Sequence, residues 1–540
     1  MSLVERILAA RGFSGQDIDD FLTPEYGGHD PFLLPDMHLA VDRLVLAKKN
    51  KEKVAIYGDY DIDGLTATSL LLDALASFGF EGVESFIPNR FVEGYGLTKD
   101  AISQIIDQGA DLILTVDCGS LSHAEINLAN GRGVDVIVTD HHNVAEKQPA
   151  AVAVVNPKRK GHNYPFIDLA GVGVAFKLVQ ALQTKLSGLK PGQEKWLLDL
   201  VALGTVCDVV TLLGENRANV FWGLQVMAKT RRPGLKALMK VANVEPEKLN
   251  TRSLGFALGP RLNAAGRLET AKHSLDLLTK KDPKRALEIA EQLDTINKKR
   301  RLDQDKIFKE ACLQAEEMSE DNVLVLSNKD WNHGIVGIVA ARILETYKKP
   351  AYVLQEMGEE TKGSARSYGD FSAADAIRSA DDVISKGGGH KLAAGVTLPT
   401  KNIEAFRRRV NEFYAAQKLE KQLELLLPRA ELELLFDELT DEEVSGLSVL
   451  EPFGSGNPQP VVKTDAALVV DVRRMGNEGQ HLKLTLETGK ASIKLISFSA
   501  PKEFFVDLGQ TINAWYYPEI NEWNGRRSVE GRLLHIEIKG

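Results

Sequence analysis

Seven side chains stand out because their types and positions suit them to hold divalent cations together. Asp59, Asp61 and Asp63 lie in YGDYDIDG, Asp117 ends LILTVD, His141 and His142 follow the aspartate ending DVIVTD, and Asp208 follows VALGTVC. Each group comes at the end of an apolar run that reads as a strand. In an open parallel sheet those carboxyl ends share one edge, and ligands bind in the crevice outside it. Crowded carboxylates would repel one another and take up protons unless cations removed the repulsion. Oxygen donors joined by one or two histidines suit Mg2+ or Mn2+, with histidine favouring Mn2+. The donors suffice for two ions. A pair about 3.5–4 Å apart generates hydroxide and stabilises an in-line displacement, the chemistry of hydrolysis at phosphorus. Taken singly, an aspartate after a strand is more often a helix cap or turn residue than a ligand; the joint occurrence at four strand ends favours a metal centre.

Residues 1–50 read as short helical pieces broken at Pro24, Gly27-Gly28, Pro31 and Pro35. From Val54, apolar runs alternate with helical stretches such as ATSLLLDALASFG, which predicts a doubly wound parallel sheet up to about residue 215. A mostly helical stretch follows. Residues 282–318 contain no internal Pro or Gly after Asp282-Pro283 and predict one long helix joining two domains. The α/β pattern resumes at Val323 with VLVLSN, GIVGIVAARILETY and PAYVLQ. Beyond that, VVKTDAALVVDVRRM, HLKLTLETG, ASIKLISFSA and the segment from Gln510 predict strands separated by turns at Gly476-Asn477, Gly489 and Asn524-Gly525. A small β-barrel of the OB type is the natural reading. The expected divisions are a helical segment at 1–50, a metal-binding domain at 51–215, a helical region with the long helix at 216–320, a second α/β domain at 321–422 and a barrel at 423–540.

The length of 540 residues calls for several cores. No apolar run reaches the roughly 18 residues a membrane span needs, and the start MSLVERILAARGF lacks the regions of a signal peptide, so the expected location is the cytoplasm. Cys118, Cys207 and Cys312 form no paired pattern; the first two are read as small core residues, because thiolates suit softer metals. A net charge of −9 argues against simple coating of nucleic acid but not against a carboxylate-lined nuclease site.

DYDID with Gly64, VDCGS, DHH and GTVCDVV resemble, in order, the four metal motifs of the DHH phosphoesterase superfamily. The resemblance implies metal binding by Asp59, Asp61, Asp63, Asp117, His141 and Asp208, with His142 on metal or substrate phosphate. The alanine usual before the fourth aspartate is Cys207 here. FIPNRFVEGYGL at 86–97 and GPRLNAAGRL at 259–268 resemble segments of the RecJ family. They offer Arg90 as a terminal-phosphate contact or a surface salt bridge, at least one of Arg261 and Arg267 as a phosphate contact unless both are surface arginines of a tightly packed helix, since guanidinium grips phosphate bidentately, and Tyr95 as a residue that stacks on a base or packs. The second domain carries GSARS at 363–367 and GGGHKLAAG at 387–395, the latter resembling the DHH-associated domain; Ser364, Arg366, Gly388, Gly389 and His390 are the candidate substrate contacts. In WNHGIVGIVAAR, His333 is assigned no catalytic role. In the barrel, Trp515, Tyr516, Tyr517 and Trp523 are candidate stacking residues beside Arg526 and Arg527, though alternate residues of a strand face opposite sides. NKKRR at 297–301 either tracks a nucleic-acid backbone or is a solvated helix face.

The family resemblance implies a 5′-to-3′ exonuclease specific for single-stranded DNA. It would release mononucleotides with two Mn2+ or Mg2+ ions, act in recombination and repair, and work with single-stranded-DNA-binding protein and a helicase; a monomer is the default expectation. The alternative within the superfamily is a phosphodiesterase for short RNA or cyclic dinucleotides. A third reading, a scaffold that binds DNA without cleaving it, would call for lost metal ligands.

Overall fold

The structure is a computed structural model; it describes the whole chain except residues 91–93, 95, 269, 418, 420, 421 and 540, and the side chains of 422 and 423. Tyr95 therefore lies outside the described residues. The chain divides into two units, Met1–Asp294 with Pro428–Gly540, and Thr295–Leu427.

In the first unit, β1 (Val54–Gly58), β2 (Val83–Phe86), β3 (Leu112–Val116), β4 (Asp135–Thr139) and β5 (Ala153–Val155) form a wholly parallel sheet in the order β2-β1-β3-β4-β5. β1 and β3 are buried along their whole length, which is why they read as unbroken apolar runs rather than alternating ones. The strand–helix alternation stops at β5, earlier than the expected residue 215. Helices Gly171–Gln183, Leu198–Cys207 and Gly214–Ala228 follow instead. VALGTVC is thus the end of a helix, not a strand. Leu198–Thr205 is buried on every side, and a short run that is apolar all round carries no period by which to tell helix from strand.

The unit's other part is a closed barrel. β11 (Leu432–Glu433) lies beside β12 (Val462–Met475), followed in the sheet by β13 (His481–Thr488), β14 (Ala491–Ser497), β16 (Arg526–Ile538) and β15 (Thr511–Trp523), and β15 returns to pair with β12. Its core includes Leu482, Leu484, Leu486, Leu495 and Tyr516, together with Leu3, Ile7, Leu8 and Phe21 from the first two helices. The third helix, Met37–Asn50, packs with the parallel sheet instead.

One buried cation ties these parts together. Arg217, 2% exposed, donates through Nε to Phe21 O (2.9 Å), through Nη1 to Leu450 O (3.0 Å) and through Nη2 to Val449 O (3.2 Å). Its guanidinium lies 3.8 Å from the Phe21 ring centroid.

The second unit holds a mixed sheet of β6 (Leu324–Asn328), β7 (Ala351–Met357), β8 (Glu360–Arg366), β9 (Lys386–Gly389) and β10 (Ala393–Pro399), in the order β6-β7-β8-β10-β9. β6 and β7 are parallel and the other pairs antiparallel. The expected long helix is continuous over Pro283–Glu317. Within NKKRR, Arg300 is buried and bonded to Asn297, whereas Lys298, Lys299 and Arg301 are exposed. Among the described residues no helix is long and apolar enough to cross a membrane.

Candidate metal centre

The ends of β1, β3 and β4 bring Asp59, Asp117 and Asp140 to one edge of the parallel sheet, as the spacing predicts. Asp61 caps helix Ile62–Ser77, its Oδ1 accepting the N–H groups of Asp63 (2.9 Å) and Gly64 (3.1 Å). Asp63, in the first turn of that helix, is fixed from the far side: its carboxylate accepts the N–H groups of Gly171 (2.6 Å) and Val172 (2.8 Å). These open the helix Gly171–Gln183, whose positive end favours the charge. Asp208 reaches the cluster as the residue that ends Leu198–Cys207. Glycine is required at 171, because a Cβ there would lie 2.7 Å from Asp117 Oδ1. Asp117 itself holds a left-handed backbone, φ 61°, a strained state of the kind that gathers at functional sites.

Two separate triads emerge. Asp59, Asp61 and Asp117 each place a ligand atom within 4.8 Å of the others, and so do Asp63, His141 and Asp208. Asp117 also groups with His141 and His142, which places it to bridge the triads. His141 Nε2 lies 3.1 Å from Asp117 Oδ1 and 3.5 Å from Asp208 Oδ2. Three buried atoms here, Asp59 Oδ1, Asp117 Oδ1 and His141 Nε2, have no hydrogen-bond partner among the described residues. Such atoms cost free energy unless something outside the chain satisfies them. Burial, then the neighbouring carboxylates, pushes the acids of Asp59, Asp63, Asp117 and Asp208 well above the ordinary range. Burial and the adjacent His142 hold His141 neutral, down to about 3, so its lone pair is free to ligate. This donor set fits two hard divalent cations. Burial also raises the Cys118 and Cys207 thiols, in line with core residues rather than thiolate ligands.

Asp140 is not among the site residues expected from the sequence, and its part is different. Its Oδ1 accepts from His141 N (2.7 Å) and His142 N (3.1 Å) and bonds His142 Nδ1 (2.8 Å), while Oδ2 accepts from Ser120 N (3.0 Å). Burial would raise this acid, but the bonds from His142 and Ser120 outweigh it and hold Asp140 well below the usual carboxylate range. In the same way, burial opposes a charge on His142 but the Asp140 bond raises its pKa. The Asp140 bond at Nδ1 fixes the orientation of the His142 ring beside the cluster. Asn156, fully buried, donates to Ser120 Oγ and His142 O (2.9 Å each) and fastens the loop. The DHH triplet itself carries the signal for Asp140; nothing in the sequence singles out Asn156.

The arginines separate. Arg90 is exposed and lies 5.4 Å from the Tyr60 ring centroid, beside Asp59. Arg267 acts electrostatically on the Tyr60 phenol, which places it by the same motif. Arg261 is engaged within the fold: Nε donates to Asp294 Oδ1 (2.8 Å) and Nη1 to Ala257 O (2.7 Å).

In the second unit, the register aligns Ser364 with Gly395 and Gly395 with Gly388 across β8, β10 and β9. Arg366 stands two residues from Ser364, on the same face. Gly337, in the first turn of helix Val336–Tyr347, abuts both: a Cβ there would lie 3.3 Å from Ser364 Oγ and 3.5 Å from Arg366 Nη2. The glycine run is a strand rather than a loose turn. Gly388 is exposed, a Cβ placed on it would meet nothing within 4 Å among the described residues, and His390 follows at the exposed strand end. His333 Nδ1 bonds Gln355. In the barrel Tyr516 is buried against Thr464, Trp515 and Tyr517 are half-buried, and Trp523 is 74% exposed.

Family models match in the same order: the DHH family N-terminal domain over 53–205, the DHHA1 domain over 320–416 and the RecJ OB domain over 430–535. The single-stranded-DNA-specific exonuclease RecJ of Bacillus subtilis is 37% identical over 98% of this chain and 67% of its own length. The crystal structure of RecJ in complex with Mn2+ from Thermus thermophilus aligns at TM-score 0.84 and 30% identity, covering 99% of this chain and 76% of that one. The Mg2+ complex from the same organism aligns at TM-score 0.77 and 28% identity, covering 99% and 74%. With the metal triads, the associated domain and the barrel all matched in order along one chain, this protein belongs to the RecJ family of single-stranded-DNA-specific exonucleases.

Proposed function

We propose that this chain is a metal-dependent 5′-to-3′ exonuclease that hydrolyses single-stranded DNA to mononucleotides. The observation that carries the reading is the pair of triads, Asp59/Asp61/Asp117 and Asp63/His141/Asp208, with ligand atoms left open between them. The Mn2+ and Mg2+ complexes of the Thermus thermophilus relative support those cations. Bound there, a pair of divalent ions would supply an acidified water and Lewis-acid stabilisation of charge developing on a phosphodiester.

The chain's own groups do the rest. Asp63, held by two backbone N–H groups, keeps its triad fixed whether or not substrate is present. Asp140 orients the His142 ring, which stands beside the metal triads as a contact for metal or substrate phosphate. Arg90 and Arg267 supply fixed positive charge beside the first motif, where it favours a terminal phosphate. In the second unit, the face of Ser364, Arg366, Gly388, Gly389 and His390 offers hydroxyl, guanidinium and bare backbone to a sugar-phosphate chain. We assign residues 51–215 to metal chemistry, 321–422 to substrate binding, and 423–540 with its half-buried and exposed aromatics to holding the single strand.

The same reading places the protein in the cytoplasm as a monomer acting in recombination and repair, with a helicase supplying single strands and single-stranded-DNA-binding protein presenting them. The test is substrate length. With Mn2+, a 5′-phosphorylated 30-mer should be consumed to mononucleotides. Hydrolysis of a dinucleotide or cyclic dinucleotide with the 30-mer left intact would assign the chain to short-oligonucleotide phosphodiesterases instead.

A further inference from the structure

The segment just before the GPRLNAAGRL helix has no part in the metal centre, yet it is built against it. Leu254–Leu258 forms a π-helical turn, a rare element that is frequent at functional sites. Its two ends are buried at Leu254 and Leu258. Cys207, the residue before Asp208, approaches the Leu254 carbonyl with Sγ at 3.7 Å. Gly259, directly after the turn, is so close to the metal motifs that a Cβ there would lie 2.8 Å from Cys207 Sγ and 3.3 Å from Ile62 Cδ1. The turn therefore rests on the neighbours of Asp61, Asp63 and Asp208.

From the middle of this turn Phe256 stands 74% exposed. Val209, immediately after Asp208, is 69% exposed and has φ 62°. A left-handed backbone at a β-branched residue is costly, and such strain persists only where the surroundings impose it. An isolated exposed apolar residue needs no explanation. Here two large apolar side chains are held out to solvent on segments that adjoin the metal ligands, one by a π-turn and the other by a strained backbone.

We infer that Phe256, with Val209 beside the metal ligand Asp208, forms an apolar contact for the base of a nucleotide next to the phosphate under attack. The inference rests on the single-stranded-DNA reading above. Phosphate-binding groups grip the backbone but leave each base free to swing, whereas an aromatic ring stacks on any base, because every base has a π-face. A ring at this place would hold the terminal nucleotide without selecting its sequence, as an exonuclease that must digest any strand requires. Phe256 is mostly exposed, so its removal opens no cavity and leaves the fold intact.

The experiment compares wild type, Phe256→Ala and Phe256→Trp in Mn2+ on two 5′-phosphorylated single strands, one ordinary and one whose first three nucleotides are abasic. Mn2+ binding by calorimetry, unchanged in both variants, reports an intact centre. For wild type, KM should rise about tenfold on the abasic strand. For Phe256→Ala, KM on the ordinary strand should already be raised about as much, with little further change on the abasic one, and Phe256→Trp should restore the dependence on the base. Equal base dependence in wild type and Phe256→Ala would overturn the inference while leaving the exonuclease reading standing. A wild-type chain that cleaves neither strand would overturn the exonuclease reading and this inference with it.

Discussion

Asp140 Oδ1 lies 2.8 Å from His142 Nδ1 and accepts the backbone N–H groups of both histidines as well. One carboxylate thus sets the ring orientation of His142 and the path of the chain that carries His141. An amide at this position has only one acceptor oxygen and would turn N–H toward Ser120 N or toward the histidine loop. Asp140→Asn is expected to lower kcat on single-stranded DNA by about 10²-fold and Mn2+ affinity by about 10- to 100-fold, as loss of a group that orients a metal ligand does. Steady-state kinetics and metal titration check both.

The raised carboxyls make metal-free stability fall with pH. An acid whose native pKa exceeds its unfolded value binds more protons folded than unfolded, so its contribution is lost as pH climbs. The window runs from 3.8 up to the value of about 9 to which burial and neighbouring carboxylates push Asp208. Metal ions reverse the cost by pairing with the ionised groups. The gap in Tm between Mn2+-loaded and chelator-treated protein should therefore widen by several degrees from pH 6 to pH 8.5, as read by calorimetric scans. A gap independent of pH would contradict the assignment of the cluster.

Much of this centre is legible in the sequence because strand ends and acidic motifs coincide at Asp59, Asp117 and the DHH triplet. Asp208 stands out as a candidate ligand but on the wrong element: Leu198–Thr205 is buried all round, so hydrophobicity alone gives no period. Asn156 is invisible because its value lies in two hydrogen bonds to residues 36 and 14 positions away. Arg261 and Arg267 look equivalent in sequence, and only the fold shows that Arg261 is engaged with Asp294. The barrel strands are readable from their alternation; the sharing of its core with Leu3, Ile7, Leu8 and Phe21 is not, since no local pattern reports a partner more than 400 residues away.

Arg217 should matter for stability and not for chemistry. Arg217→Met keeps the apolar stem but leaves the carbonyls of Phe21, Val449 and Leu450 without their donor. Each buried unsatisfied group costs about 1–3 kcal/mol before relaxation, so a net loss of about 2–4 kcal/mol is expected in urea denaturation. Activity per folded molecule at low temperature should stay within about twofold of wild type, because no metal ligand is touched.

Gly388 separates folding from binding in the second unit. A side chain at 388 meets nothing within 4 Å, whereas one at Gly389 would lie 2.6 Å from Ala393 O at φ 143°. Gly388→Val should fold normally and suit a strand, yet cover the backbone between Ser364 and the strand edge. The expected result is a KM for single-stranded DNA raised about tenfold, with Mn2+ affinity unchanged. Full retention of KM would remove this face from the substrate path.

The central claim is that the clustered aspartates and histidine drive hydrolysis from the 5′ end of a single strand. The most direct measurement digests one oligonucleotide in Mn2+, labelled in turn at its 5′ and 3′ ends, with Asp117→Ala as the control. Immediate release of the 5′ label as mononucleotide, gradual shortening of the 3′-labelled strand and an inert variant are expected. Release of the 3′ label first, or undiminished cleavage by Asp117→Ala, would contradict it.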